Sequence, residues 1–201
     1  MLLEAATTVF LTKGFDNATI REICRKANRT TGAFYQHFQS KNELLKIILS
    51  PLFTALTNSY KQQLQQGLAA INKVKIGQIW QEYLLNLDPL ITIIYAHPQK
   101  RALLLFDAAG SQYSDLAELT TRYFTQQFIE LINVMQQQHV IPFEFQFNYQ
   151  ELHFRVFAFF ATVCDILKHN YQEAETKALC RGLYQFFYPG WLTWLQIKQP
   201  G

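Results

Sequence analysis

Charge is scarce in this chain. Of its 201 residues 16% are Asp, Glu, Lys or Arg, against 49% hydrophobic. That balance excludes a disordered chain and implies that some apolar surface is buried between subunits. Cysteine is nearly absent. Cys24, Cys164 and Cys180 are odd in number and far apart, without metal-ligand spacing, which reads as the reduced thiols of a cytosol. Long hydrophobic runs are missing. The most apolar one, Val156 to Cys164, is bounded by Arg155 and Asp165, far short of the ~20 residues of a membrane span. Met1 leads straight into an amphipathic stretch containing Glu4, which is unlike a secretory leader. A soluble, cytoplasmic protein with no membrane partner is expected. Catalytic sets are missing too. His97, His139, His153 and His169 lie far apart, none in a metal-pair spacing or beside a nucleophile signature. The expectation is no enzyme, no cofactor and no metal.

What the chain does hold is concentrated near its start. Residues 1–46 carry seven Lys or Arg (13, 21, 25, 26, 29, 41, 46) against four acids (4, 16, 22, 43). The remaining residues carry eleven of each, so the whole net charge of +3 sits in the first quarter. A small basic module on a neutral body fits a phosphate-binding head.

The periodicity fits that picture. Residues 2–13 place Leu3, Ala6, Val9 and Phe10 at helical spacing, with Gly14 as the stop. Thr19 and Glu22 have the spacing of a capping box, and Ile20, Ile23 and Ala27 share one face of the helix they open. Asn28 suits a tight left-handed turn. Thr30 or Thr31 caps a short aromatic helix with Phe34 and Phe38 one turn apart on its inner face. Two short helices joined by a tight turn make a helix-turn-helix.

These residues resemble the TetR family of bacterial transcriptional regulators. The resemblance runs through Ala5-Ala6, Val9-Phe10, Gly14-Phe15, Thr19-Ile20, Ile23, Ala27, Thr30-Thr31-Gly32, Phe34-Tyr35, His37-Phe38, Lys41 and Leu44, about a quarter of the chain. Cys24, Asn28 and Arg29-Thr30 depart from the usual alanine, turn glycine and Val-Ser, which adds a positive charge to the turn. Members usually carry a basic arm before the first helix, and the numbered chain starts without one. The resemblance implies an all-α fold: a three-helix DNA-binding domain at 1–46 and a larger helical effector-binding and dimerisation domain at 47–201. It implies DNA contacts from Thr19, Arg21, Arg29, Thr30, Thr31, Gly32, Tyr35, Gln36, His37 and Lys41. Phe34 and Phe38 are packing residues in either reading.

Beyond the head, 42–66 reads as a long helix kinked at Pro51, followed by helices at about 75–87, 99–109, 114–138, 149–169 and 174–196. Leu90 to Ala96 is a short apolar segment, and 140–147 an extended loop. The helix at 149–169 has almost no polar face, so it must be covered on both sides. A second subunit would do so, and in the family the last two helices usually form a four-helix dimer interface. Phe154, Phe157, Ala158, Ala161, Leu183 and Phe187 are the candidate interface residues. Trp80, Tyr83, Tyr95, Phe106, Tyr123 and Phe128 lie on helices that enclose effectors in the family, and large aromatics with few charges suit an apolar or aromatic molecule. The expected function is a DNA-binding regulator, most simply a repressor released from its operator by such an effector. The rival is an all-α small-molecule-binding or interaction protein whose head no longer engages DNA.

Overall fold

The computed structural model describes residues 1–70 and 86–197, and every regular element among them is helical. In chain order they are α1 (Leu2–Asn17), α2 (Ile20–Lys26), α3 (Thr31–Tyr35), α4 (Lys41–Ala70), α5 (Asp88–Tyr95), α6 (Pro98–Leu105), α7 (Leu116–Gln137), α8 (Tyr149–Lys168) and α9 (Glu173–Trp194). The expected helix at 75–87 lies largely outside the described residues, as do Trp80 and Tyr83. The chain divides into two compact units: Met1–Asn58 with Thr92–Leu116, and Ser59–Ile91 with Ala117–Gly201.

The first unit is built around one apolar cluster. Phe10 from α1, Ile23 from α2, Phe34 from α3, Leu44, Leu45, Leu49 and Leu52 from α4, and Leu103 from α6 are all essentially inaccessible. Gly14 sits at φ +76°, a conformation an L side chain rarely adopts, and it interrupts α1 before a last helical turn reaches Asn17. The stop expected at Gly14 is therefore a break within α1. Asn28 turns the chain between α2 and α3 with φ +51°, as its short polar side chain allows.

Helix α4 continues through Pro51 as expected and differs from the expectation at its end. Proline at 51 has no N–H to give the carbonyl of Ile47, and Ser50 Oγ donates to that oxygen at 3.2 Å instead. The freed acceptor is satisfied locally, and the helix continues through Pro51. It also runs past the expected end near Gln66 to Ala70, with Gly67 buried. Packing around a residue without a side chain overrides its poor helix propensity there. The Leu90 to Ala96 segment is helix α5, opening at Asp88. Residues 140–147 form no strand.

The second unit is held by aromatic pairs. Phe124 on α7 stacks on Phe160 of α8 at 3.9 Å between centroids, and Phe128 on α7 stacks on Trp191 of α9 at 5.0 Å. Phe159 meets Phe187 edge-on, linking α8 to α9. Cys24, Cys164 and Cys180 are buried and form no disulfide, and burial pushes the Cys180 thiol up to about 11. They are core residues. Among the described residues, no helix is long and apolar enough to cross a membrane.

Candidate functional site

The head is positioned by its caps. Glu22 N–H donates to Thr19 Oγ1 at 3.2 Å, while the Thr19 N–H donates back to the Glu22 carboxylate at 3.1 Å. The capping box expected at these two residues is complete. Lys13 pairs with the same carboxylate. With Lys13 and Thr19 both bonded to it, Glu22 is held down at about 2. The Thr19 hydroxyl also donates to Glu22 at 2.9 Å, so both polar groups of Thr19 serve the start of α2. Thr30, not Thr31, caps α3, accepting the Ala33 N–H at 3.1 Å.

Around these caps one side chain anchors α3 and the rest stay out. Phe34 is fully buried, in contact with Phe38 and edge-on to Tyr35. Thr31, Gly32, Tyr35, Gln36 and His37 are exposed, with Tyr35 60% accessible despite its size. Arg21 on α2 and Arg29 in the turn are exposed as well. No acid among the described residues pairs with either. A large aromatic, two arginines and several uncommitted polar groups on one short helix-turn-helix can reach phosphates and base edges together.

Lys41 stands apart from this set. Its ammonium donates to the carbonyls of Phe15 at 2.5 Å, Asp16 at 3.2 Å and Ala18 at 2.8 Å, and lies 4.3 Å from the centre of the Phe15 ring. Desolvation lowers its pKa despite the nearby Asp16 charge. The side chain ties the start of α4 to the turn between α1 and α2. Two cations outside the expected set, Arg25 and Lys26, are exposed at the end of α2 and likewise lack an acid partner among the described residues. Their signal was the charge excess of the first quarter.

Residues 2–48 match the family model described as bacterial regulatory proteins, tetR family. Over this N-terminal segment the chain is similar to the tetR family. The same segment is also similar to named relatives. One is an uncharacterized HTH-type transcriptional regulator, YvdT, of Bacillus subtilis, 40% identical over 63 residues that cover 31% of this chain and 32% of that protein. Another is the HTH-type transcriptional repressor KstR2 of Mycolicibacterium smegmatis, 30% identical over 73 residues covering 36% of each. The matches thus span about a third of these relatives' own length. Among solved structures, a TetR-like transcriptional regulator from Rhodococcus has the same all-helical fold over 94% of both chains, with a TM-score of 0.58 at 14% identity.

In the second unit, the α8–α9 hairpin is apolar on two sides. Leu152, Val156, Phe159, Phe160, Val163 and Leu167 are buried on one side of α8. Phe154, 67% accessible, Phe157 and Ala158 are exposed on the other, with Ala161, Leu183 and Phe187 half-buried. Phe154, Ala158 and Phe187 together line a groove of about 450 Å³ with Glu151, Arg155, Gly190 and Trp191. The hairpin also exposes Leu179 and Phe186, the latter 80% accessible. Their seven-residue separation on α9 was the available clue.

The aromatics expected around an effector are dispersed. Tyr95 and Phe106 fall in the first unit, and Tyr123 and Phe128 in the second. Phe106 is exposed, Phe128 is buried against Trp191, and Tyr123 is partly exposed beside Tyr60. Among the described residues, no group of His, Cys, Asp or Glu could hold a metal ion.

Proposed function

We propose that the chain is a sequence-specific DNA-binding transcriptional regulator, acting as a homodimeric repressor that a small apolar or aromatic effector releases from its operator. The observation that carries this reading is the exposed face of the helix-turn-helix. Thr31, Gly32, Tyr35, Gln36 and His37 stand free around a buried Phe34. Tyr35 is assigned to a base or its sugar, Arg21 to a guanine edge, and Thr30, Thr31, Gln36, His37 and Arg29 to phosphates or bases. Thr19 supports the same surface through its cap. Lys41 contributes chiefly by holding the α1–α2 turn in place.

One five-residue reading helix is a weak reader, and a two-fold pair reads half-sites about 34–36 Å apart, or multiples of that. The exposed rings of α8 and α9 support pairing through Phe154, Phe157, Ala158, Ala161, Leu183 and Phe187. Effector recognition is assigned to the second unit, with Tyr123 its most accessible aromatic candidate among the described residues. An effector that binds the low-affinity conformation better shifts the population toward it and weakens operator binding. The continuity of α4, which begins in one unit and ends in the other, supports such coupling.

The experiment is a titration of the purified protein against fragments of its own gene's upstream region at two salt concentrations. Saturable, selective binding that weakens with salt is the expected result. Binding that is absent, or equal on every fragment, would favour an interaction protein whose head no longer engages DNA.

A further inference from the structure

Helix α4 carries a polar ladder of which the fold uses only Ser50, and the proposed regulator none. Lys46, Ser50, Thr54 and Asn58 recur every fourth residue and therefore share one stripe. Together with Phe53, Thr57 and Tyr113 they line a groove of about 310 Å³, entirely within the first unit. The size is at the lower end of small-molecule sites.

Apart from Ser50, whose Oγ is held by the Ile47 carbonyl, the polar groups that α4 gives this groove are uncommitted. Elsewhere in the helices, Thr7, Thr8, Thr12, Thr121, Thr162 and Thr193 each return the hydroxyl to the carbonyl four residues back. Thr54 and Thr57 make no such bond, and Asn58 has no side-chain partner among the described residues. Lys46 forms no ion pair there either, since Glu43, the acid nearest in sequence, accepts the Gln39 N–H at 2.5 Å. From residue 44 to 70, α4 contains no acid. The aromatic part of the lining is fixed. Phe53 stacks on Tyr113 with centroids 5.2 Å apart. The turn carrying Tyr113 is tied to the start of α4, where the Gln112 N–H donates to Asn42 Oδ1 and its side-chain amide to Asn42 O. Tyr113 N–H donates to Ser111 Oγ, and burial raises the phenol's pKa, which keeps it a neutral donor.

We propose that this groove is a binding site for a small aromatic carboxylate, its ring against Phe53 and Tyr113, its carboxylate on Lys46, and its polar substituents on Thr54 and Thr57. A single unpaired cation beside a stacked aromatic pair selects one negative charge on a flat ring, and the free hydroxyls add donors and acceptors along the ring's edge. The site differs from the effector site assigned to the second unit, and it stands whether or not the head binds DNA.

The test is calorimetric titration of the full chain with benzoate, with neutral benzyl alcohol, and with acetate. Benzoate is expected to bind, benzyl alcohol roughly fivefold more weakly for want of the exposed charge pair, and acetate not at all. Lys46→Gln should bring benzoate and benzyl alcohol to equal affinity. Tyr113→Leu should weaken both. Lys46 is exposed, so its replacement leaves the melting temperature in place, and Thr54→Val offers a second variant that weakens hydroxybenzoates more than benzoate. No benzoate binding up to about 10 mM, a preference for benzoate that survives Lys46→Gln, or tight binding of acetate would overturn the proposal.

Discussion

The α2–α3 head and the α8–α9 hairpin both leave bulky side chains in water, and they leave different kinds. On the head, the anchor Phe34 is inward and the outward groups are hydroxyls, amides, an imidazole, guanidinium groups and one phenol. On the hairpin the outward groups are Phe154, Phe157, Leu179 and Phe186. Exposed polar groups without internal partners keep their hydrogen-bonding capacity for something outside the chain, whereas exposed rings lower their free energy only by leaving water. A polyanion satisfies the first surface and a second apolar surface satisfies the other. The contrast supports the proposed division between a reading face and a pairing face without reference to any relative.

The sharpest way to break the comparison is to remove what lets the head display its polar groups. Phe34→Ala opens a cavity at a fully buried ring and should lower stability by about 3–5 kcal/mol, read by denaturant unfolding. A loss near zero would mean that α3 is not anchored there. Next comes the hairpin. Phe154→Glu with Phe187→Glu should convert a dimer to monomer in sedimentation equilibrium, a loss of about 2–4 kcal/mol of association energy. An unchanged sedimentation profile would detach the exposed rings from pairing.

A smaller effect distinguishes two cations of the head. Lys41→Met removes the ammonium shared by three carbonyls, of which Phe15 O keeps the Ala18 N–H, and should lower stability by about 1–3 kcal/mol, with little change in the salt dependence of DNA binding. Arg29→Gln should do the reverse, leaving melting in place and reducing the salt slope by about one. If the two variants behaved alike, the division between a structural and a phosphate-facing cation would fail.

The smallest expected effect is a pH dependence. The Glu22 carboxyl is depressed to about 2 in the folded chain, against about 4.3 when unfolded. Its contribution is complete above the unfolded value and is lost as pH falls from there through about 2. Glu22→Gln should remove that part of the acid dependence of unfolding while changing the neutral-pH melt only slightly, because the pair is exposed to solvent.

Legibility followed range. The Thr19–Glu22 box, the left-handed turn at Asn28 and the Phe34 anchor are set by neighbours within a few residues, and each could be read from spacing. The end of α4 could not, because burial of Gly67 depends on what packs against it. The break at Gly14 was visible as a glycine, though not as a pause before one more turn. The three carbonyls that hold Lys41 lie 23 to 26 residues away in sequence, and no periodicity encodes that meeting. The effector aromatics were legible as apolar residues only. Whether a ring such as Phe128 packs inward or Phe106 faces water is decided by tertiary packing.

If the exposed face of α3 reads sequence as proposed, Tyr35 is its most direct probe. The measurement is the affinity of wild type and Tyr35→Ala for a selected operator and for a scrambled fragment of equal length and charge, at one salt concentration. The substitution should reduce operator affinity by about 1–3 kcal/mol and leave the scrambled fragment almost unchanged. Equal losses on both fragments would contradict that reading and reduce Tyr35 to a backbone contact.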